Sequence, residues 1–336
     1  MTSPTPTAAR RVTPTAVRLL AADADRDTWL AARRQGIGSS DVAAILGVAD
    51  RSTAVHVWHD KRGELVDDAG EAALWGRLLE EPVAREWARR QRSVVQRVGL
   101  VAHVDEPWQM ATLDRRVAEC PMNREVRTAC ALEVKTRSAF KASRWRSDVP
   151  DDVLAQATWQ MRVTGYDHIH VSVLLGGNEM KMTVIERDER MENYVVREVT
   201  RFREQHLLAG VEPAWDLDKA AALIEMDALM HPDRVGEISL DEVGEVMEYA
   251  ELSARKGAAE RALKRARAAL ARLARGAQTV KFADELAFEF NPVTKRTPDL
   301  DRLRERWPQA YADCVTEKQH YQIRLAPEFR RSGEFE

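Results

Sequence analysis

Two acids and a lysine in the first half of the chain have side-chain types and a spacing that could form a catalytic group. Glu133 and Lys135 are separated by one apolar residue in a segment that is predicted to be a strand, and residues two apart on a strand point to the same face. Asp114 ends another apolar segment, 19 residues before Glu133. Antiparallel pairing of these two strands would place the two carboxylates side by side, with the lysine next to them.

These groups fit the hydrolysis of a phosphodiester bond. That reaction needs a deprotonated water, neutralised phosphate charge and a stabilised leaving oxygen, and Mg²⁺, which prefers carboxylate and water ligands, can serve all three needs. We therefore predict that Asp114 and Glu133 bind Mg²⁺, for which Mn²⁺ would substitute, and that Lys135 lies near the attacking water or steadies the phosphate. Glu80, on a predicted helix upstream, offers a third carboxylate. The acid-lysine alternation alone is a weak signal, because many strands carry Glu and Lys on a solvated face.

The elements predicted around these residues are helices, then a block of strands, then flanking helices. Apolar residues at helical spacing predict the helices, and alternating Val-rich and aromatic segments predict the strands. The predicted helices lie at 27–47 (interrupted by a tight loop), 52–61, 71–90, 151–164 and 190–208, and the predicted strands at 93–103, 108–113, 129–136, 169–175 and 181–186. Pro82 predicts a kink or a break in the third helix. This order favours an α/β core in which helices flank a mixed sheet.

The two ends of the chain differ from this core. Residues 1–20 are expected to be a disordered tail, because their start is rich in Thr, Pro and Ala and lacks the apolar stretch of a signal peptide. We place the main domain at 21–212 and a C-terminal extension at 213–336. Within the extension we expect a long helix, a hairpin at 279–290, one or two short helices and a strand near 321–325.

The long helix of the extension is expected to be basic. Ser239 followed by Glu242 resembles a capping box that would begin a helix ending near Arg275. Residues 255–275 contain eight Lys or Arg and one acid, and a local basic patch matters more than total charge for binding a polyanion. Three leucines are expected to pack inward on this helix, namely Leu263, Leu270 and Leu273.

The composition limits the class of protein. Hydrophobic residues make up 44% of the 336 residues and charged residues 31%, a balance typical of a soluble globular protein. The apolar runs are much shorter than the ~20 residues of a membrane span, so we expect no membrane partner. The net charge of −3 gives no overall basic signal for nucleic acid. A nucleotide-driven motor is not expected, because neither a Walker A nor a GxGxxG pattern is present.

The cysteines predict a reducing compartment. Cys120, Cys130 and Cys314 are odd in number and widely spaced, which argues against a disulfide framework. Three cysteines are too few for a four-cysteine iron–sulfur cluster. We favour free structural thiols over the alternative, a zinc site that uses Cys120 and Cys130.

Five motifs occur in one consistent order between residues 29 and 175. They are Arg33–Asp41 (RRQGIGSSD), Gly76-x-x-Leu79-Glu80, Asp114, Leu132-Glu133-Val134-Lys135, and Gln156-x-x-x-Gln160-Met161-x-x-Thr164-Gly165. Together they resemble the YqaJ family of viral recombinases, which belongs with lambda exonuclease in the PD-(D/E)xK superfamily of nucleases. The resemblance implies a restriction-endonuclease-like core, a central mixed β-sheet flanked by helices, for residues 21–212.

The resemblance also implies roles for individual residues. Glu80, Asp114 and Glu133 match the metal-binding carboxylates of the family, Lys135 its catalytic lysine, and Gln156 its active-site glutamine. Two departures bear on this match. The residue after Asp114 is Arg115 rather than the glycine that is frequent there, and Glu81 next to Glu80 is an alternative ligand, since neighbours on a helix point ~100° apart.

A second group of residues is predicted to hold DNA. Arg33 and Ser40 match positions that hold the 5′-terminal phosphate in the lambda-exonuclease branch, and Gly36 and Gly38 would let an anion approach the backbone and a helix N-terminus. The alternative is a simple helix cap with a solvated arginine. The residues that we assign to DNA-backbone contacts are Arg115, Lys141, Lys264, Arg265 and Arg267.

The resulting functional hypothesis is a Mg²⁺-dependent DNA exonuclease. It would hydrolyse linear double-stranded DNA in phage-type recombination or DNA repair, in the cytoplasm of a bacterial host. Its partners would be double-stranded DNA, a phage single-strand annealing protein and further copies of the same chain. Two alternatives remain open: a structure-specific endonuclease, and a nuclease-like protein that only binds DNA.

The basic helix gives a testable prediction. Neutralising Lys264, Arg265 and Arg267 together should weaken DNA binding and flatten its salt dependence, by about one unit of log–log slope for each phosphate that the variant no longer neutralises. Binding titrations at several salt concentrations measure this slope, and single-turnover cleavage at saturating enzyme should stay at the wild-type rate. An unchanged slope would assign the helix to assembly or packing.

Overall fold

The computed structural model describes residues 11–65, 70–122, 129–146, 148–295, 297–316 and 322–330. The chain divides into two units between Asp233 and Arg234. The boundary therefore lies later than the predicted 212/213 division. The reason is the helix at Ala220–Met230, whose Leu223 and Met226 are buried in one cluster with Val55 of the first unit.

The first unit contains both sheets that matter for the site. Its strands are β1 (Ala16–Leu20), β2 (Val95–Gln96), β3 (Gly99–His103), β4 (Met110–Leu113), β5 (Arg115–Val117), β6 (Cys130–Arg137), β7 (His168–Leu175) and β8 (Glu179–Glu186). Its α-helices are α1 (Arg26–Arg33), α2 (Ser39–Ile45), α3 (Ala54–Arg62), α4 (Glu71–Gln91), α5 (Asp151–Thr164), α6 (Glu189–Phe202) and α7 (Ala220–Met230). Short helical turns of other types lie at Ala139–Trp145, Arg203–Leu208 and Leu217–Lys219.

The second unit is described by itself. It contains α8 (Gly244–Ala274), a hairpin of β9 (Thr279–Phe282) and β10 (Glu285–Glu289), α9 (Leu300–Arg306), α10 (Pro308–Cys314) and a 3₁₀ turn at Pro327–Arg330. The predicted long helix, hairpin and short helices are therefore present.

A five-stranded mixed sheet forms the centre of the first unit. Its strand order is β2-β5-β6-β7-β8; β6 and β7 are parallel, whereas the other neighbours are antiparallel. A smaller antiparallel sheet has the order β1-β3-β4. The predicted α/β core with a central mixed sheet flanked by helices is thus confirmed.

Helices cover both faces of β6, because its side chains alternate. On one face, Trp87 of α4 is buried in one cluster with Leu132 and Val134. On the other, Met161 of α5 is buried in one cluster with Val171 of the adjacent β7. Apolar burial of this kind contributes about 25 cal/mol per Å² and fixes the two helices on the sheet.

Several predicted elements differ from the structure. Residues 16–20 form β1 against β3, with Ala16 fully buried, so the predicted disordered tail to residue 20 was wrong at that end; residues 1–10 lie outside the described residues. Helix α4 is continuous through Pro82, so of the predicted kink or break the break does not occur. Val83 and Ala84, which directly follow the proline, are buried in one cluster with Leu132 of β6, so the helix packs on the sheet at this point.

The C-terminal extension also differs from the predicted elements. Helix α8 begins at Gly244, so Ser239 and Glu242 do not cap it. The three leucines expected to pack inward are exposed, at 71%, 42% and 59% for Leu263, Leu270 and Leu273. Of the predicted strand near 321–325, Tyr321 lies outside the described residues and the remainder is not a strand. None of the described helices combines the length and apolar character needed to span a membrane.

A close backbone approach at Gly36 gives a stability prediction. A Cβ atom at Gly36 would lie 2.4 Å from the backbone oxygen of Trp108, where the Ile37 N–H donates to the same oxygen at 2.8 Å. Gly36→Ala should therefore lower the free energy of unfolding by about 1–3 kcal/mol, measured by denaturant titration.

A second glycine serves as the control for this prediction. Gly76 lies inside α4, and an added Cβ would meet only Thr136 Oγ1 at 3.8 Å. Gly76→Ala should raise the free energy of unfolding by about 0.5–1 kcal/mol, because alanine has a better helix propensity. Equal effects of the two substitutions would refute the steric argument.

Candidate active site

Three carboxylates meet beside strand β6 of the central sheet. Glu133 lies in the middle of β6 and is 2% exposed, Asp114 lies in the link from β4 to β5, and Glu80 lies on α4. All three line one open cleft of about 890 Å³, together with Lys135 and Gln156. The structure therefore brings together every residue that was predicted to be catalytic or to bind metal.

The strand that places Asp114 beside Glu133 was not predicted. The prediction paired the strand ending at Asp114 with that of Glu133, but β4 pairs with β3, and the intervening short strand β5 pairs with β6. Asp114 is the residue at which the chain passes from the smaller sheet to the central one. Its Oδ2 accepts a hydrogen bond of 2.7 Å from the backbone N–H of Val134, which anchors the carboxylate to β6.

A hydrogen-bond network holds Glu133, Lys135 and Gln156. Lys135 Nζ donates to Glu133 Oε1 at 2.5 Å and to Gln156 Oε1 at 2.7 Å. Gln156 Nε2 donates to the same Glu133 oxygen at 2.7 Å. These three hydrogen bonds fix the rotamers of all three side chains, so the lysine is held at the carboxylate cluster in the absence of a ligand.

Gln160 belongs to one of the five motifs but was not predicted to serve the site. Its Nε2 donates to the second Glu133 oxygen, Oε2, at 2.6 Å, and to the backbone oxygen of Thr112 at 3.3 Å. Gln156 and Gln160 are one helical turn apart on α5, so they reach the same carboxylate from one face. That i, i+4 spacing was the available signal for a positioning residue.

The cluster has an unfavourable charge distribution in the absence of a cation. Burial, the Glu133 carboxylate and the Glu80 carboxylate together raise the pKa of Asp114 well above its usual value. Like charges held together in a poorly solvated site are relieved by a bound cation. Carboxylate oxygens are the ligands that Mg²⁺ prefers, so Glu80, Asp114 and Glu133 fit that ion as a donor set.

Arg115 does not occupy the position expected of a DNA-backbone contact. It is 3% exposed, and its guanidinium forms ion pairs with Glu80 and, at 2.5 Å, with Glu81. The side chain turns inward to α4 and does not line the cleft, and contact of Arg115 with DNA stays a prediction. Of the two acids, Glu80 lines the cleft and helps to raise the pKa of Asp114, which favours Glu80 over Glu81 as the third carboxylate.

The predicted phosphate ligands lie at the same cleft. Ser40 is exposed, and both Arg33 and Ser40 line the cleft. Arg33 forms ion pairs with the buried Asp41 and, at 3.1 Å, with Asp60. The charge of Arg33 is therefore already balanced by carboxylates.

The remaining cations predicted to contact DNA lie in two places. Lys141 lines the cleft and forms an ion pair with Asp50. Lys264, Arg265 and Arg267 are exposed on α8 of the second unit. Contact of these four residues with DNA stays a prediction.

The charge cluster predicts an unusual gain of stability. In metal-free buffer, Asp114→Asn should raise the melting temperature, because asparagine keeps an oxygen for the Val134 N–H and removes a charge that burial makes unfavourable. A change of one unit in a pKa corresponds to about 1.4 kcal/mol, and each kcal/mol changes the melting temperature by about 2–4 °C in a domain of this size. Calorimetry in a chelator measures the difference.

The pH dependence follows from the raised pKa of Asp114. A carboxyl whose folded pKa is raised loses stability as the pH rises through that value, so the gain from Asp114→Asn should be largest at neutral pH and vanish in acid. Asp50→Asn is the control in the same cleft. The Lys141 and Arg144 side chains lower the pKa of Asp50 to about 2, so this variant should not gain stability. A gain equal to that of Asp114→Asn would contradict the charge argument.

Comparison with curated proteins gives a relative of the first unit. The YqaJ protein of Bacillus subtilis (strain 168), described as uncharacterized, is 33% identical over 202 residues, which are 58% of this chain and 61% of that protein. The chain thus matches about three fifths of the length of this curated relative.

Solved structures with a likeness to the chain include two exonucleases. An alkaline exonuclease from Laribacter hongkongensis has 20% identity and a TM-score of 0.47, covering 59% of this chain and 99% of that one. A phage-related exonuclease from Haemophilus somnus 129PT has 12% identity and a TM-score of 0.35, covering 52% and 96%.

The five ordered motifs and the acid cluster fall within one matched segment. Residues 28–167 match the model of the YqaJ-like viral recombinase domain. This range includes the link between β4 and β5 that carries Asp114, and α4, β6 and α5, which carry the other two carboxylates, the lysine and both glutamines. Residues 28–167 of the first unit are therefore similar to a YqaJ-like viral recombinase domain.

Proposed function

We propose that this protein is a Mg²⁺-dependent DNA exonuclease that hydrolyses phosphodiester bonds of linear double-stranded DNA. The observation that carries the proposal is the convergence of Glu80, Asp114 and Glu133 with Lys135 in one open cleft. A protein that only bound DNA would gain nothing from buried carboxylates facing a polyanion, because they repel phosphate. The match to the viral recombinase domain is consistent with this choice.

The residues of the chain supply positioning and charge. When bound, Mg²⁺ supplies positive charge against the phosphate and lowers the pKa of water. Glu133 is held on both oxygens, by Gln156 and Gln160, so its orientation does not depend on the substrate. Lys135, held between Glu133 and Gln156, carries a proton that can stabilise the developing charge on the reacting phosphate.

Arg33 and Ser40 support end recognition. Both lie in the cleft that contains the carboxylates, so a 5′-terminal phosphate bound there would place a nearby phosphodiester bond at the acid cluster. A terminal phosphate carries more negative charge than an internal one, which favours it next to a guanidinium. The biological setting that we propose is phage-type recombination or repair in the cytoplasm of a bacterial host. In that setting a single-strand annealing protein would act on the product, and several copies of the chain would assemble on DNA.

One observation favours a structure-specific endonuclease as the alternative. The Arg33 guanidinium is already paired with Asp41 and Asp60, so a terminal phosphate would have to displace a carboxylate. An enzyme that does not use this contact would cut internal bonds at a preferred DNA structure.

Digestion of linear and closed circular duplexes in Mg²⁺ separates the two activities. The exonuclease should degrade linear 5′-phosphorylated duplex and leave the closed circle intact, because a circle offers no terminus. Removing the 5′-phosphate should slow digestion of the linear duplex in the wild type. In Arg33→Ala the rates on the two linear substrates should become equal. Cutting of the circle at the linear rate would establish the endonuclease instead.

Substitutions in the cleft test the chemistry. Asp114→Ala, Glu133→Ala and Lys135→Ala should each lower the single-turnover cleavage rate by more than ~10²-fold while DNA binding survives. The first two would remove proposed Mg²⁺ ligands, and the third would remove the positive charge beside the reacting phosphate. Glu80→Ala should behave in the same way, whereas its neighbour Glu81→Ala, which lies outside the cleft, should lose far less. A wild-type rate in any folded member of the first three variants would refute the site.

A further inference from the structure

A buried cluster of sulfur and nitrogen atoms lies in the first unit, apart from the carboxylates. One side-chain atom each from Cys120, Cys130, His168 and His170 lies within 4.8 Å of all the others. Both cysteines are fully buried and His170 is 4% exposed. Such a set of four soft or borderline ligands is typical of a structural zinc site.

The sheet register brings these residues together. Cys130 begins β6, and Leu132 of that strand is the register partner of His170 on the parallel strand β7. Since residues two apart share a face, Cys130, His168 and His170 all lie on the α4 side of the sheet, opposite to Glu133. Cys120 follows β5, the other neighbour of β6. Trp87 of α4 packs on this face, with its ring centroid 5.0 Å from that of His170.

The distances suit tetrahedral coordination. Zinc–sulfur bonds of about 2.3 Å and zinc–nitrogen bonds of about 2.0–2.1 Å give ligand-to-ligand edges of about 3.3–3.8 Å. Cys120 Sγ lies 3.1 Å from His168 Nε2 and 3.5 Å from His170 Nε2. Small movements would therefore bring these atoms to the separations found between the ligands of a tetrahedral zinc ion.

The protonation states are compatible with this role. Burial and the neighbouring His168 lower the pKa of His170 to about 4, so its imidazole is neutral and has a lone pair to give at neutral pH. Burial and the adjacent Cys120 raise the pKa of Cys130, because a thiolate in this apolar setting needs a cation to balance it.

We propose that Cys120, Cys130, His168 and His170 bind one Zn²⁺ ion that is structural and separate from the carboxylate cleft. Four protein ligands complete the tetrahedron and leave no open position for catalysis. On binding, each cysteine thiol releases one proton to solvent and the imidazoles release none, so two protons leave for one ion bound.

The ion would hold the catalytic strand in register. It would link the segment after β5 to the start of β6 and to β7, and β6 carries both Glu133 and Lys135. The two sites would bind different metal ions because their ligand atoms differ. Mg²⁺ prefers the oxygen ligands of the cleft, and Zn²⁺ accepts the sulfur and nitrogen ligands of the cysteine–histidine cluster. The expectation of free structural thiols at Cys120 and Cys130 would then give way to the zinc alternative. The missed signal was His-x-His on a strand, which places both rings on one face.

Metal analysis of the full chain tests the proposal. The protein is purified under reducing conditions from zinc-supplemented cells, and its zinc content is measured by elemental mass spectrometry after removal of loosely bound metal. Wild type should contain about one zinc per chain. The matched controls are Cys314→Ser, which alters the exposed third cysteine, and Glu133→Gln, which alters the cleft; both should keep that zinc. Cys130→Ser and His170→Asn should lose it.

A measurement on the wild type covers the case in which the ligand variants do not fold. The chain is unfolded with a chelator and refolded with Co²⁺, whose visible spectrum distinguishes tetrahedral thiolate coordination from octahedral oxygen coordination. We expect the tetrahedral thiolate spectrum, which Zn²⁺ should bleach. Absence of zinc in the wild type, an octahedral cobalt spectrum, loss of zinc in Glu133→Gln, or full zinc in folded Cys130→Ser would each overturn the proposal.

Discussion

The position of α5 on the central sheet depends on one constraint, the burial of the Glu133 carboxylate at the centre of that sheet. A lone buried carboxylate is strongly unfavourable in an apolar interior. Here both of its oxygens are hydrogen-bonded, by Lys135 and Gln156 on one side and by Gln160 on the other. Helix α5 must therefore lie on this face of β6 in a fixed position along the strand, because glutamines on two successive turns of the helix donate to the Glu133 carboxylate.

Strand β6 has two faces with different chemistry. The face with Glu133 and Lys135 meets the glutamines of α5, and the opposite face packs under α4 and contains Cys130. Helix α4 belongs to both regions, because Trp87 packs under the sheet while Glu80, about two turns earlier, lines the cleft. The packing of α4 therefore sets the position of the third carboxylate, and Arg115 holds that carboxylate from the side of β5.

Several cations of the cleft form ion pairs with acids of the same chain. Arg33 pairs with Asp41 and Asp60, and Lys141 pairs with Asp50. Paired acids keep these side chains ordered and lower the local excess of positive charge. Under the proposed function, DNA phosphates would compete with these carboxylates for the cations of the cleft, which would favour substrates with the highest local negative charge.

The sequence by itself determined the features that depend on local pattern. Helix α5 lies at the predicted 151–164, and the alternation around Glu133 predicted β6, because side-chain period is a property of a few neighbouring residues. The motif order predicted which acids converge, and Asp114, Glu133, Lys135 and Gln156 all line one cleft.

Only the tertiary structure decided what depends on contacts between distant segments. Three features join residues that lie far apart in the sequence: the passage of the chain between two sheets at Asp114, the inward turn of Arg115, and the proximity of Cys120 to His170. No local period encodes such contacts, because strand order and register arise from how the whole sheet buries its apolar faces between α4 and α5.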